Sequence, residues 1–191
     1  MEETKQDFLK DLLLDPNANY VSLEAMVVGQ TKYLRDARIN LKNVLTSASF
    51  TPKEAYLLAL SIAVNEKNNV LIESFTKLSK QNEATDADIA EIHACASLLT
   101  ANNVFYRFKH FIKKESYQTM PAGIKMNIMV NPVLGKEFFE LASLAVSAIN
   151  GCEMCVVSHE ASVIKHGATE QRIFDAVRLF AVVRSICAII H

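Results

Sequence analysis

The chain has 191 residues, half of them hydrophobic, with five glycines, four prolines and a formal net charge of −1. That length is ample for the core of one domain, the scarcity of glycine and proline favours compact helical structure over loops, and the near-neutral balance excludes the electrostatic footprint of a nucleic-acid binder. No apolar run reaches the length of a bilayer span; Leu179 to Ile190 comes nearest and carries Arg184.

The first fifteen residues, MEETKQDFLKDLLLD, are acidic and lack the apolar core of a secretory signal, so a cytoplasmic protein is expected. Residues 4–14 read as a short amphipathic helix ending before Asp15-Pro16. Residues 21–46 read as one helical region, with Leu23, Met26, Val27, Tyr33 and Leu34 on apolar positions. Thr51-Pro52-Lys53-Glu54 has the form of a helix start: Thr51 as the cap, Pro52 first and Glu54 third. That helix is expected to run to about Glu66, and another from Val70 to Lys80. Thr85 caps a long helix from Asp86 through His93 and beyond Val104. Its basic residues Arg107 and Lys109, with Lys113 and Lys114, read as a solvated face.

Pro121, Gly123, Pro132 and Gly135 punctuate residues 115–136, which read as a linker with one short helix near Ile124 to Val130. A helix from Glu137 to Ile149 and another from Cys155 to about Lys165 follow. Gly167 ends the latter, and Thr169 caps a final helix whose stripe Ile173, Phe174, Val177, Leu179, Phe180 and Val183 reads as core. No segment alternates as a strand does, so the expected class is all-α. Cys95 and Cys187 sit in apolar helical runs and read as buried structural thiols. His93 reads as partly buried; His110, His166 and His191 read as surface residues.

The segment with chemical promise is Asn150-Gly-Cys-Glu-Met-Cys-Val-Val-Ser-His159. Gly151 supplies a turn. Cys152 and Cys155 are spaced to close a small disulfide ring. A helix beginning near Cys155 would set that thiol in the partial positive charge of unpaired N–H groups, which favours thiolate. His159, four positions on, shares its face and is able to take a thiol proton. Glu140, on the preceding helix, is able to orient the imidazole. The same four residue types are zinc ligands, and two cysteines in a helix also serve as small buried hydrophobes. Residue types alone leave a redox dithiol, a zinc-stabilised binding protein and an inert pair open. A thioredoxin-type site needs a strand before its cysteines, and here a helix is expected.

The chain also reads as internally duplicated. A helical extension of residues 1–50 precedes two related halves, about 51–114 and 136–191, within what is treated as one domain. Ala63-Val-Asn65 answers Ala148-Ile-Asn150, and Ala84-Thr-Asp-Ala-Asp-Ile89 answers Ala168-Thr-Glu-Gln-Arg-Ile173. At an offset of 85, Lys67, Val70, Ser74 and Ala55 stand where the second half has Cys152, Cys155, His159 and Glu140. The first half thus keeps the scaffold without the constellation.

Glu140, Cys152, Cys155 and His159 at this spacing resemble the motif of the AhpD family of alkyl hydroperoxide reductases, within the carboxymuconolactone-decarboxylase-like superfamily. Asn102-Asn-Val-Phe-Tyr-Arg107, Met126-Asn-Ile-Met-Val-Asn-Pro132 and Ala145-Val-Ser-Ala-Ile-Asn-Gly-Cys152 extend the resemblance, which is strong over residues 50–190 and weak before them. The resemblance implies an all-α homotrimer with thiol-dependent peroxidase activity on organic hydroperoxides. It also implies an adaptor that passes electrons from a lipoyl-bearing acyltransferase to AhpC, the peroxiredoxin of the alkyl hydroperoxide reductase system. By it Cys155 is the reactive thiol, passing through a sulfenic acid or an interchain disulfide with the peroxiredoxin. Cys152 donates a proton and closes the Cys152–Cys155 disulfide, and Glu140 and His159 relay protons. No metal or bound cofactor is implied; dihydrolipoamide or a lipoyl group is the reductant. Relatives can carry histidine where this chain has Met154, and a thioether relays no proton. A decarboxylase acting on a small lactone acid is the other activity the superfamily suggests, although such members commonly lack the cysteine pair.

Overall fold

The computed structural model describes residues 1–191 as ten α-helices and one short 3-10 turn, with no strand. The helices are α1 (Glu2–Asp11), α2 (Val21–Val28), α3 (Tyr33–Leu45), α4 (Pro52–Asn65), α5 (Asn69–Gln81), α6 (Asp86–Ile112), α7 (Glu115–Thr119), α8 (Lys136–Ile149), α9 (Glu153–Lys165) and α10 (Glu170–Cys187). The all-α expectation holds. No helix is long and apolar enough to cross a membrane.

Capping chemistry explains most of the boundaries. Thr51 accepts from the Glu54 N–H while Glu54 reaches back to Thr51, and Thr85 and Asp88 repeat this reciprocal pair. Thr169 caps α10 through the Arg172 N–H. The region read as one helix over 21–46 is two. α2 stops at Gly29, Gln30 takes a positive φ of 50°, and α3 restarts at Tyr33. In the linker, α7 forms over Glu115–Thr119 and the 3-10 turn over Asn127–Met129.

α4 and α8 pack together at the centre; α5 folds back on α4 and α9 on α8, while α6 and α10 each pack across both central helices. Their composition fits that position: Leu57, Leu58, Leu60 and Ile62 of α4 and Phe139, Leu141 and Val146 of α8 are fully or almost fully buried. Residues of the first fifty join the same core, since Phe8, Leu9, Leu23 and Leu34 belong to one apolar cluster with α4 and α8. In α10, Ile173, Leu179, Phe180 and Val183 are buried, whereas Phe174 and Val177 face outward, so the stripe read as core is narrower than expected.

The two helical hairpins share one turn geometry at an offset of 84. Lys67 and Gly151 both adopt positive φ, at 56° and 68°. Asn68 N–H donates to Ala63 O as Cys152 N–H donates to Ser147 O. The caps Thr85 and Thr169 keep the same offset. The offset of 85 is therefore one residue out at the site. Asn68, Leu71, Phe75 and Tyr56 answer Cys152, Cys155, His159 and Glu140, and the first hairpin has neither the thiols nor the ion pair.

Asn68 is a buried polar residue with every polar atom occupied. Its Oδ1 accepts the Leu71 N–H at 2.9 Å, capping α5, and its Nδ2 donates to Cys187 O at 3.1 Å and to Ile190 O. It ties the first hairpin to the end of α10. Asn68→Ala removes the cap and strands two buried carbonyls, and is expected to cost about 2–4 kcal/mol. Urea denaturation checks this; a loss under about 1 kcal/mol would mean that the tie carries little.

Candidate functional site

The site is built on the turn between α8 and α9. α8 ends at Ile149, Asn150 caps it, Gly151 takes positive φ, and Cys152 is the N-cap of α9. A partly buried polar network fixes this turn. The Asn150 amide exchanges hydrogen bonds with Asn65 at 3.0 and 3.1 Å and donates to Asn103 at 2.9 Å. Asn103 donates to Ser147 Oγ at 2.9 Å, and the Arg107 guanidinium donates to Asn150 O at 2.6 Å. Arg107 is therefore no part of a solvated basic face. Nor is Lys109, whose buried ammonium donates to Gln118 O and Met120 O, at 3.1 and 3.3 Å.

Cys152 and Cys155 are joined as a disulfide with Cα atoms 5.3 Å apart. Cys155 is the third residue of α9, inside the first turn. No side chain caps this helix, whereas at the matching place in the first hairpin the Asn68 side chain takes the Leu71 N–H. With a cysteine in place of the capping residue, the N–H groups of the first turn are left to polarise whatever lies at their end. Cys155 sits within that first turn. Cys95 and Cys187 contrast with it. Both are buried free thiols, pushed up to about 12 by burial, and so protonated at neutral pH.

Glu140 and His159 meet as the sequence reading expects. His159 Nδ1 lies 2.6 Å from Glu140 Oε2, and both side chains are buried. The sequence reading missed Lys136, whose Nζ lies 2.9 Å from Glu140 Oε1 and also donates to Met129 O. Its signal was the i, i+4 spacing from Lys136 to Glu140 on one helix face. Burial alone would raise the Glu140 pKa. The hydrogen bonds from His159 and Lys136, with their charges, outweigh it and hold the carboxyl at about 2 against an ordinary 4.5. Glu140 is a fixed anion, its two oxygens shared between the His159 imidazole and a lysine.

A cavity of about 360 Å³ opens at this point. α9 lines it with Met154, Cys155, Ser158 and His159; Asn102 and Tyr106 of α6 face them, and Met126 and Met129 complete the wall. Cys155 and His159 thus share a cavity, while Cys152, 1% exposed, is not part of its lining. The Met126–Met129 wall is held by Lys136 at Met129 O and by buried Glu91, which accepts the Val133 and Leu134 N–H groups at 2.6 and 2.7 Å. Asn102 Nδ2 contacts Met126 Sδ at 3.2 Å, and its buried Oδ1 has no hydrogen-bond partner, an arrangement that ordinarily costs about 1–3 kcal/mol. Met154 lies on the wall and contributes no titrating nitrogen. Glu153 points outward, 3.5 Å from His110 Nε2. His110 is half-buried there, not a free surface residue.

The four-residue constellation is arranged as two pairs, sulfur with sulfur and imidazole with carboxylate. No group of three or more His, Cys, Asp or Glu side chains is disposed to share one metal ion. A closed disulfide also has no thiolate to offer a metal.

The depressed Glu140 pKa has a consequence for stability. The ionised form is favoured by the fold, so its contribution is fully present above the ordinary carboxylate range. It is lost as pH falls from about 4.5 through about 2. Glu140→Gln should therefore be less stable than the native chain by a few kcal/mol near pH 6, a gap that narrows steadily toward pH 2 in urea titrations. A gap independent of pH would show that Glu140 is not held ionised.

Three relatives place this geometry in a family. The chain is 36% identical over 171 residues to alkyl hydroperoxide reductase AhpD of Rhodopseudomonas palustris (strain BisB18), covering 90% of this chain and 94% of that one. It is 38% identical over 164 residues to AhpD of Anaeromyxobacter dehalogenans (strain 2CP-C), covering 86% and 88%. It is 36% identical over 160 residues to AhpD of Coxiella burnetii (strain RSA 493 / Nine Mile phase I), covering 82% and 90%. A match of 171 residues in a chain of 191 necessarily reaches into the first fifty, so the likeness is wider than the sequence segments implied. Residues 115–191, which carry the linker, the cysteine turn and α8 to α10, match the carboxymuconolactone decarboxylase family model. The chain belongs to the AhpD family of alkyl hydroperoxide reductases, within the carboxymuconolactone decarboxylase superfamily.

Proposed function

We propose that this protein is a dithiol hydroperoxide reductase that works through Cys155 and Cys152. The observation that carries this reading is the shared cavity: Cys155 and His159, one helical turn apart, line the same space, and Glu140 holds His159 by Nδ1. With Nδ1 so engaged, Nε2 is the ring nitrogen free to exchange a proton.

In the oxidative half, His159 takes the Cys155 proton and the thiolate attacks the distal oxygen of R–O–O–H. The O–O bond breaks, an S–O bond forms, and the sulfenic acid Cys155–S–OH remains. The alkoxide leaves with the electron pair and takes a proton from the His159 imidazolium, giving the alcohol. Cys152 then attacks the Cys155 sulfur and the disulfide closes. The sulfenic hydroxyl leaves, and the Cys152 proton completes a water molecule. Glu140 steadies the imidazolium, and Lys136 fixes Glu140; the relay does not pass through Met154. In the reductive half, one thiolate of dihydrolipoamide attacks the Cys152–Cys155 disulfide and its second thiolate resolves the mixed disulfide, leaving lipoamide and the dithiol.

The same dithiol suits an adaptor. Cys155, on the cavity wall, forms the interchain disulfide with an oxidised peroxiredoxin of the AhpC type, and Cys152 resolves it from behind. A lipoyl-bearing acyltransferase supplies the electrons. A dithiol that must be regenerated belongs in the cytoplasm, where thiols are kept reduced. The exposed stripe Val104, Phe108 and Phe111 on α6 is the surface we assign to contact between copies in a homotrimer. The zinc reading would require the disulfide to open and Glu140 and His159 to part. The decarboxylase reading requires a cation for an acidic lactone, and no lysine or arginine lines the cavity.

The test begins with reduced, metal-stripped protein, one equivalent of an organic hydroperoxide, and peptide mapping before and after dihydrolipoamide. A Cys152–Cys155 disulfide that forms and is reversed is expected, with Cys95 and Cys187 left reduced. Cys155→Ser should abolish turnover, Cys152→Ser should trap Cys155 as sulfenic acid, and Glu140→Gln should slow oxidation about tenfold or more. Indiscriminate oxidation of all four cysteines, or none, would overturn the mechanism.

A further inference from the structure

Neighbouring asparagines on α6 have opposite fates. Asn103 is buried and fully engaged, donating to Ser147 Oγ and accepting from Asn150, each at 2.9 Å. Asn102 is 4% exposed and lines the cavity with Cys155 and His159, yet its Oδ1 has no partner. Its Nδ2 is occupied by Met126 Sδ at 3.2 Å, which orients the carboxamide and leaves oxygen as the unused atom. Native folds rarely leave a buried acceptor unmatched, and those they do leave call for an explanation. Only one other buried side-chain polar atom in the chain is similarly unpartnered, Ser79 Oγ, and it does not line this cavity.

The rest of the lining narrows what would match it. Met126, Met129, Met154 and Tyr106 offer a soft apolar wall that suits an alkyl or aryl group. Cys155 supplies the nucleophile and His159 the proton. The group still needed is one that donates a hydrogen bond close to the reacting sulfur. A hydroperoxide has one such donor, the hydroxyl on the oxygen that the thiolate attacks.

We propose that Asn102 is a substrate-orienting residue whose carboxamide oxygen accepts the O–H of a bound alkyl hydroperoxide, setting its distal oxygen against Cys155. This rests on the dithiol peroxidase reading of the site. The hydroxyl keeps its proton through the transfer. It begins as O–O–H, with the O–O bond breaking and the S–O bond forming, and ends as Cys155–S–O–H, still facing Asn102. The departing alkoxide takes its proton from His159, so Asn102 contributes orientation and no proton. A neutral carboxamide does this equally at every pH, which separates its role from that of the Glu140–His159 pair.

The experiment measures the second-order rate of Cys155 oxidation by cumene hydroperoxide in the reduced native chain and in Asn102→Leu, which has similar bulk and no acceptor. Alkylation of reduced Cys155 by iodoacetamide is measured beside it. The variant is expected to lose about tenfold in the peroxide rate, the effect of one hydrogen bond made to the reacting group. The alkylation rate is expected to hold, and the tenfold ratio to stay constant from about pH 6 to pH 9. If Asn102→Leu does not fold, Asn102→Ala supplies the same ratio. Equal peroxide rates would overturn the proposal, as would alkylation that slows in parallel, since the effect would then lie on the thiol. A native chain that peroxide does not oxidise at Cys155 would instead overturn the peroxidase reading, and this proposal with it.

Discussion

The turn at Asn150-Gly151-Cys152 is the constraint on which the site depends. It closes the α8–α9 hairpin, sets the Cys152–Cys155 ring, and aims the start of α9 at its own third residue. Gly151 meets the backbone requirement, because φ there is 68° and a side chain would be strained. Gly151 does not fix the position of the turn. That falls to Asn150, whose amide and carbonyl are held by Asn65, Asn103 and Arg107 from two other helices. This partly buried network ties the position of Cys152 to α4 and α6.

The first hairpin shows what the same turn looks like without chemistry. Lys67 takes the positive φ that Gly151 takes, although a residue with a Cβ is strained there. Asn68 then caps α5 and anchors the end of α10. In the second hairpin the capping residue is a cysteine, the cap bond is absent, and the first-turn N–H groups are left to act on Cys155. Likewise Tyr56 stands where Glu140 stands in the second hairpin, so the buried anion and its imidazole and ammonium partners belong to one hairpin only.

Much of this was legible in the sequence because it was local. Thr51, Thr85 and Thr169 announce helices through residues three positions away, and Cys155 and His159 share a face by helical spacing alone. The contacts that were misread are the ones made across helices. A repeat offset of 85 aligns Asn65 with Asn150, and those residues do meet, but as partners across the core; the turn hydrogen bonds run at 84. Arg107 and Lys109 look solvated on a helical wheel, and only the approach of the α8–α9 turn and of the Gln118–Met120 segment gives them their carbonyl partners. The break between α2 and α3 did have a signal in Gly29, which apolar periodicity on both sides concealed.

The six-residue segment Asn102 to Arg107 shows how one helix serves fold and site together. Asn103 and Arg107, four apart, lie on the stripe that holds the cysteine turn. Asn102 and Tyr106, also four apart, lie on the adjacent stripe that faces the cavity. A rotation of α6 by one residue would turn Asn103 and Arg107 away from the cysteine turn. It would leave Asn150 without the Asn103 and Arg107 hydrogen bonds. The reciprocal cap at Thr85 and Asp88 fixes where α6 begins, and the buried contacts of Glu91 and Lys109 fix its rotation. The register that sets Asn102 on the cavity wall it shares with Cys155 is thus the register that the core itself requires.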